Sequence, residues 1–443
     1  MLKTGWKKLG KPNLSGCCIF LLCCGVINKP VAAQHTLPAD SIFIKDTLRQ
    51  IDKHESSLRF SGYIQPQFQL AQQKGSPAFG GGDFAEGSNS RFMLRRARLK
   101  AEYEFVPKNK KNPSARFVFQ IDGTERGVRI KDMYMSVYAP GGQKLSLTAG
   151  VVSRPFGYEV DLSSSFRETP ERGRMSQLLM PGERDLGVRA SYEFKPKSLI
   201  APRLKFDVGV FNGPGLSATK DYDSYKDLVS RVSIQSYKIT DKLDIGAGLS
   251  LLRGAWAQPT KYRFYSGVID NQNQFVVDSA ITNIGARAPR HYYGADVQLA
   301  LAHGWGKTQF RAEYWRGTQP GSDVSTESLG QLPESPVYIR NFDGAFIYLI
   351  QNIVNENWQV VIKYDWYDPN TKVSGGEIGS ANTNFTVADI RFSTLGMGLT
   401  RYLSEDLKLL AYFDIVRNEK TKMNGYATDR PDNILTIRMQ LKF

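Results

Sequence analysis

From Leu58 onward the chain alternates apolar and polar residues in repeated stretches, each closed by a break. In the first, Phe60, Gly62, Ile64, Pro66, Phe68 and Leu70 share one parity, and Arg59, Ser61, Tyr63, Gln65, Gln67 and Gln69 the other. A period of two with one apolar face predicts a half-buried β-strand. Pro66 cannot donate to a sheet ladder, so the same pattern predicts a local bulge there. Sixteen such stretches follow one another: 59–70, 90–106, 114–123, 128–139, 143–152, 185–195, 203–212, 227–238, 242–253, 290–302, 305–317, 342–353, 356–368, 391–402, 405–417 and 433–443.

The connections keep a rhythm. The joins 72–89, 153–184, 213–226, 254–289, 318–341, 369–390 and 418–432 are long, and 124–127 is the one short member of that set. The alternate joins 107–113, 140–142, 196–202, 239–241, 303–304, 354–355 and 403–404 are short. Short turns at one end and long loops at the other are the arrangement of bacterial outer-membrane barrels. The predicted fold is therefore all-β, a 16-stranded antiparallel transmembrane β-barrel. A closed sheet of about sixteen strands leaves an aqueous channel. The apolar faces then meet outer-membrane lipid, as in Leu204, Phe206, Val208 and Val210 against Arg203, Lys205, Asp207 and Gly209. The last stretch places Leu435, Ile437, Met439, Leu441 and Phe443 on its apolar face. A terminal aromatic on such a strand is a signal of the kind read by the barrel assembly machinery.

Hydropathy and charge add the targeting picture. No run of 18 apolar residues occurs, which excludes a helical membrane protein and leaves a barrel open. Lys3, Lys7, Lys8 and Lys11 precede an apolar run, GCCIFLLCCGVI, and Val31-Ala32-Ala33 supplies small residues for cleavage. Residues 1–33 are thus expected to be a signal peptide, 34–57 a short periplasmic leader and 58–443 the barrel. The formal charge of +15 falls to +10 once the five lysines of 1–33 are removed. All four cysteines lie in that segment, so the mature chain has no disulfide and no thiolate metal ligand. No cofactor and no metal is implied.

If lipid takes the apolar faces, the polar faces line the lumen. The second stretch then points Arg96, Arg98 and Lys100 inward, a row of bases of the kind anion pores use. The third long loop, 153–184, carries Arg154, Arg167, Arg172, Arg174 and Arg184 against Glu159, Asp161, Glu168, Glu171 and Glu183. Arg96, Arg98, Lys100, Arg154, Arg167, Arg172 and Arg174 are the candidate pore-lining and anion-binding residues, and the loop is the candidate constriction. An enzyme is not expected: the chain has four histidines, His35, His54, His291 and His303, and no GxSxG, HExxH or phosphate-binding glycine loop. A nucleic-acid partner is excluded by dispersed charge and an exported compartment. The expected partners are small inorganic anions or other small solutes. A surface receptor or adhesin barrel using loops 254–289 and 318–341, and a non-selective general porin, are the alternatives.

Five segments carry a family resemblance: SRFMLRRARLKAEYEF (90–105), FVFQIDG (117–123), IKDMYMSVY (130–138), LTAGVVSRPFGYE (147–159) and PGERDLGVRASYEF (181–194). Together they resemble the phosphate-selective porin O and P family over roughly 58–443 (most firmly over 90–195). The resemblance implies a sixteen-stranded barrel in a Gram-negative outer membrane, usually a homotrimer. It also implies a third loop folded into the lumen as the narrow zone, with arginines and lysines selecting phosphate or another anion.

Overall fold

The computed structural model describes residues 57–443 apart from 79, 108–111, 141–143, 195–201, 217, 219, 329–333 and 382. The expected signal peptide 1–33 and residues 34–56 of the expected leader lie outside the described residues. Eighteen strands follow. They are β1 (Ser57–Ala71), β2 (Ser90–Phe105), β3 (Ala115–Thr124), β4 (Gly127–Tyr138), β5 (Leu145–Ser153), β6 (Arg184–Phe194), β7 (Arg203–Phe211), β8 (Asp227–Lys238) and β9 (Leu243–Ala257). After them come β10 (Arg263–Ile269), β11 (Gln272–Asp278), β12 (Arg287–His303), β13 (Gly306–Gly321), β14 (Val337–Ile353), β15 (Asn355–Asp368), β16 (Phe392–Tyr402), β17 (Leu407–Asn418) and β18 (Ile434–Lys442).

All but β10 and β11 form one antiparallel wall in chain order, with β9 joined directly to β12. The wall closes where β18 returns to β1, with Gln67 opposite Arg438 and Ile64 opposite Leu441. The seam ends in a reciprocal pair: Gly62 N–H donates to the Phe443 carbonyl and Phe443 N–H to the Gly62 carbonyl, each at 3.0 Å. Closure leaves no unpaired sheet edge for lipid to face. The sixteen expected strands are all present.

Burial runs opposite to that of a soluble protein. On β18 the polar Thr436, Arg438 and Gln440 are at most 3% exposed, while Ile437, Met439 and Leu441 are 46–48% exposed. The same inversion holds on β1, where Gln65, Gln67 and Gln69 are buried and Ile64 and Leu70 are exposed. Only an apolar solvent outside and a filled, polar interior make both faces favourable.

The wall is uneven in height. β5 and β7 have 9 residues each, near the minimum for crossing a bilayer, whereas β9, β12, β13 and β14 have 15 to 17. The tall side supports a feature the alternation did not reveal. Connection 254–289, expected as a long loop, contains the hairpin β10–β11. Its two-residue turn, Asp270-Asn271, has positive φ at both positions (51° and 59°), the geometry that matches strand twist. Asp-Asn is a weaker turn signal than Asn-Gly, and neither arm alternates cleanly. The hairpin adds in parallel to the top of β14, Arg263–Tyr265 alongside Val337–Ile339. Phe275 of the hairpin buries against Ile378, Phe385 and Ile390 of connection 369–390. Asn384 clamps it, accepting from Phe275 N–H at 2.8 Å and donating to its carbonyl at 3.2 Å.

A charge on the outer face at mid-depth should be costly. Met397 lies mid-strand on β16 and is 42% exposed. Met397→Arg is expected to destabilise the folded barrel by about 2–4 kcal/mol, measured by urea titration of folding into lipid vesicles.

Candidate functional site

The polar faces of the wall converge on loop 153–184. The loop is fastened along its length. Tyr63 of β1 meets the Ser164 hydroxyl at 2.6 Å, and Gln65 donates to the Ser164 carbonyl at 3.1 Å. From β17, Lys408 donates to the carbonyls of Ser165 (3.3 Å) and Arg167 (3.0 Å). On the other side the Glu313 carboxylate of β13 accepts the backbone N–H groups of Tyr158 (3.0 Å) and Glu159 (2.9 Å). Arg311, also on β13, grips Glu168 with two bonds of 2.9 Å.

An apolar cluster holds the two ends of the loop. Phe156, Val160, Met175, Leu179 and Met180 bury against Leu252, Tyr292, Trp315, Phe342 and Tyr367 of the wall. Phe156 meets Trp315 edge-on at 4.7 Å. Between those anchors, α1 (Arg174–Leu179) forms one and a half turns, with Met175 and Leu179 on the buried face. Glu159 sits at its start, accepting Gly173 N–H at 3.0 Å and the Ser176 hydroxyl at 2.6 Å, so the first turn's free N–H is satisfied. Tyr348 donates to the same carboxylate at 2.8 Å.

The densest charge cluster centres on Glu171. Arg96 reaches it at 2.7 Å, Arg95 at 2.8 Å and Arg438 at 3.1 Å. Arg95 and Arg96 are neighbours and by simple alternation would point to opposite faces. They do not, because the β1–β2 register shifts at Pro66: Gln65 pairs with Arg96 and Pro66 with Leu94. Arg95 is the extra residue of a bulge, and the bulge turns it inward. The bulge expected at Pro66 is therefore present, and its consequence is a second arginine in the cluster. Burial raises the Glu171 carboxyl, but the guanidiniums of Arg95, Arg96 and Arg438 outweigh it and hold the group well below the usual carboxylate range.

The seven candidate residues meet different fates. Arg96 pairs with Glu171, Arg98 with Asp122 at 3.1 Å and Lys100 with Glu102 at 3.0 Å. All three face the interior as the alternation predicts, but each carries its own counter-charge. Arg172 is consumed by the loop itself: it donates to the carbonyls of Glu159 (2.7 Å), Leu162 (3.0 Å) and Val160 (3.1 Å) and pairs with Glu183. Arg174 places its guanidinium 4.0 Å over the Phe392 ring. Arg154 is buried near Arg290, Asp185 and Asp227 and donates to the Gly213 carbonyl at 3.4 Å. Arg167 stands apart. It is 2% exposed, and none of its three guanidinium nitrogens has a hydrogen-bond partner among the described residues. Arg95, Lys408 and Arg438 belong to the same constellation and were not singled out by sequence; Arg311, which the alternation turns inward as a further lumen base, joins them. Arg438 and Arg311 lie on polar strand faces, whereas Arg95 depends on the bulge.

No family model matches the chain, and no curated protein sequence matches it. Solved structures do match in fold. OprB of Pseudomonas putida aligns with a TM-score of 0.54 at 11% identity, over 87% of this chain and 94% of that one. The outer-membrane channel DcaP of Acinetobacter baumannii gives 0.51 at 11% identity, over 88% and 99%. The chain has the fold of a bacterial outer-membrane porin. The anion-selective porin from Comamonas acidovorans gives 0.50 at 12% identity, over 88% and 100%. At such identities the likeness is one of architecture: a membrane-spanning porin barrel of the outer-membrane type, with the side chains of the lumen particular to this chain.

The Glu171 cluster yields a pH test. In the unfolded chain a glutamate titrates near about 4.3. A lower folded value means that the stabilisation is complete above that pH and is lost only as pH falls through the folded value. Glu171→Gln strands three guanidiniums and should cost roughly 3 kcal/mol at neutral pH. The stability gap between wild type and variant, followed by thermal unfolding in detergent, should stay constant down to about pH 5 and close only below about pH 4.

Proposed function

We propose that the protein is an outer-membrane porin through which small hydrophilic solutes diffuse passively, with a preference for anions such as phosphate. In this reading loop 153–184 folds into the lumen and forms the narrow zone. The observation that carries the anion preference is Arg167: a buried guanidinium midway along the loop with no counter-charge bonded to it among the described residues. Leaving such a group without hydrogen bonds costs free energy unless solvent or a passing anion supplies them. Its planar fork of donors suits two oxygens of one oxyanion.

The row Arg96, Arg98 and Lys100 has a different role in this reading. These bases, paired to Glu171, Asp122 and Glu102, shape the wall and hold the loop, and contribute little net field. Selectivity thus rests on one residue against a nearly balanced background. The resemblance of segments 90–105 and 147–159 to phosphate-selective porins supports the same class, and with it a homotrimer. No enzymatic step is assigned to the chain.

The test is planar-bilayer recording across a salt gradient. Wild type should reverse on the anion-selective side, and phosphate should reduce chloride current. Arg167→Gln should lower anion permeation about fourfold and raise cation permeation about fourfold, so the anion-to-cation permeability ratio should fall roughly 16-fold, the effect of one charge at about 5 Å in a water-like medium. An unchanged ratio would mean that Arg167 does not set the selectivity, and a wild type reversing at zero potential would mean a general, non-selective porin.

A further inference from the structure

On the long-loop side of the Glu171 cluster lies a cavity of about 220 Å³. Loop 153–184 forms its floor, and connections 72–89 and 418–432 and the upper polar faces of β15 to β18 form its walls. Its charged lining is mixed, but the signs are not equally committed. Lys363 is held by Asp365 at 3.1 Å and Glu159 at 3.9 Å. Arg172 is bonded within the loop, Arg174 lies over Phe392, and Arg430 donates to the Tyr426 hydroxyl at 2.7 Å. Among the acids, Glu171 is held by three arginines, and Asp83 accepts Ala78 N–H at 2.9 Å.

Two carboxylates in this lining have no such commitment. Asp414 and Asp432 both border the cavity, and among the described residues no ion pair and no side-chain hydrogen bond reaches either carboxylate. Asp432 is only 6% exposed, and its carboxylate borders the cavity. Its own backbone N–H is its one hydrogen-bond donor among the described residues, and Arg174 and Arg430 act on it through space. The ladder places the two acids together: Asp414 is opposite Ile434, and Asp432 lies two residues before Ile434, on the same face. Both side chains line the one cavity, which lets both carboxylates reach one ligand. Beside them Tyr412 has a buried hydroxyl with no hydrogen-bond partner among the described residues.

Unpaired carboxylates in a confined site are costly and are relieved by a cation with N–H donors. We propose that this cavity is a subsite for the protonated amine of an organic solute. The ammonium donates to Asp414 and Asp432, while the aromatic walls at Tyr412 and Tyr426 cover the carbon chain. The subsite is separate from Arg167 and opposite to it in sign. It selects what gathers above the loop, independently of which ion passes beside it.

Calorimetric titration of the full barrel in detergent with 1,4-diaminobutane tests this without requiring conductance. Saturable binding is expected, with no displacement by butane-1,4-diol, which has the same length and no charge. Asp414→Asn combined with Asp432→Asn should weaken binding at least about tenfold, whereas Arg167→Gln should leave it unchanged. Unboiled gel mobility reports whether the double variant folds; if it does not, each single substitution carries the same comparison. Absence of binding, equal affinity in the Asn variants, or equal competition by the diol would overturn the proposal. A barrel that binds the diamine but shows no anion preference would refute the anion preference alone.

Discussion

Everything in this protein depends on closing a hydrogen-bonded sheet on itself. Inside a lipid layer an unpaired N–H or carbonyl has no water to turn to, so the wall must have no edge. The seam of β1 and β18, ending in the reciprocal Gly62–Phe443 bonds, meets that requirement. Once the wall is closed, each strand has one face in lipid and one in the interior, and the alternation of side chains becomes a sorting rule. The outer band is apolar because it has no alternative. The inner face is free to collect charge, and it does.

Charge collected in a confined space must be balanced, and the balance explains the loop. Loop 153–184 carries as many acids as arginines, and most of its acids are committed to wall cations. Glu168 goes to Arg311, Glu183 to Lys131, and Glu171 to three arginines at once. These contacts fasten an otherwise irregular segment to strands on several sides, while the Phe156–Trp315 cluster anchors its ends. Against so much pairing, the groups without a counter-charge bonded to them among the described residues stand out: Arg167 of one sign, Asp414 and Asp432 of the other. A lumen that neutralises nearly all its charges concentrates specificity in the few it does not.

The uneven wall has a related logic. Strands of 9 residues suffice for the bilayer, so the additional length of β9 and β12 to β14 serves something beyond it. That length supports the hairpin β10–β11 and the packed aromatic cluster of Phe264, Phe275, Tyr338 and Phe385. Here connections behave as folded structure with a core of their own.

Read by itself, the sequence determined the sixteen strands of the wall, their order, the faces and the closed barrel. Those follow from a local period of two repeated sixteen times, with long and short joins in alternation. It also placed Arg96, Arg98 and Lys100 on the interior face and marked Pro66 as a break in register. It did not determine which of those charges are free, because a charge is neutralised by partners far along the chain. Arg96 meets Glu171, Arg311 meets Glu168 and Lys408 meets the backbone of Arg167, each across more than seventy residues. The turning inward of Arg95 required the bulge to be seen against its partner strand. The hairpin in 254–289 required the top of β14 to pair with. Alternation is a property of neighbours, and so it is legible in sequence; electrostatic commitment is a property of closure, and only the folded barrel decides it.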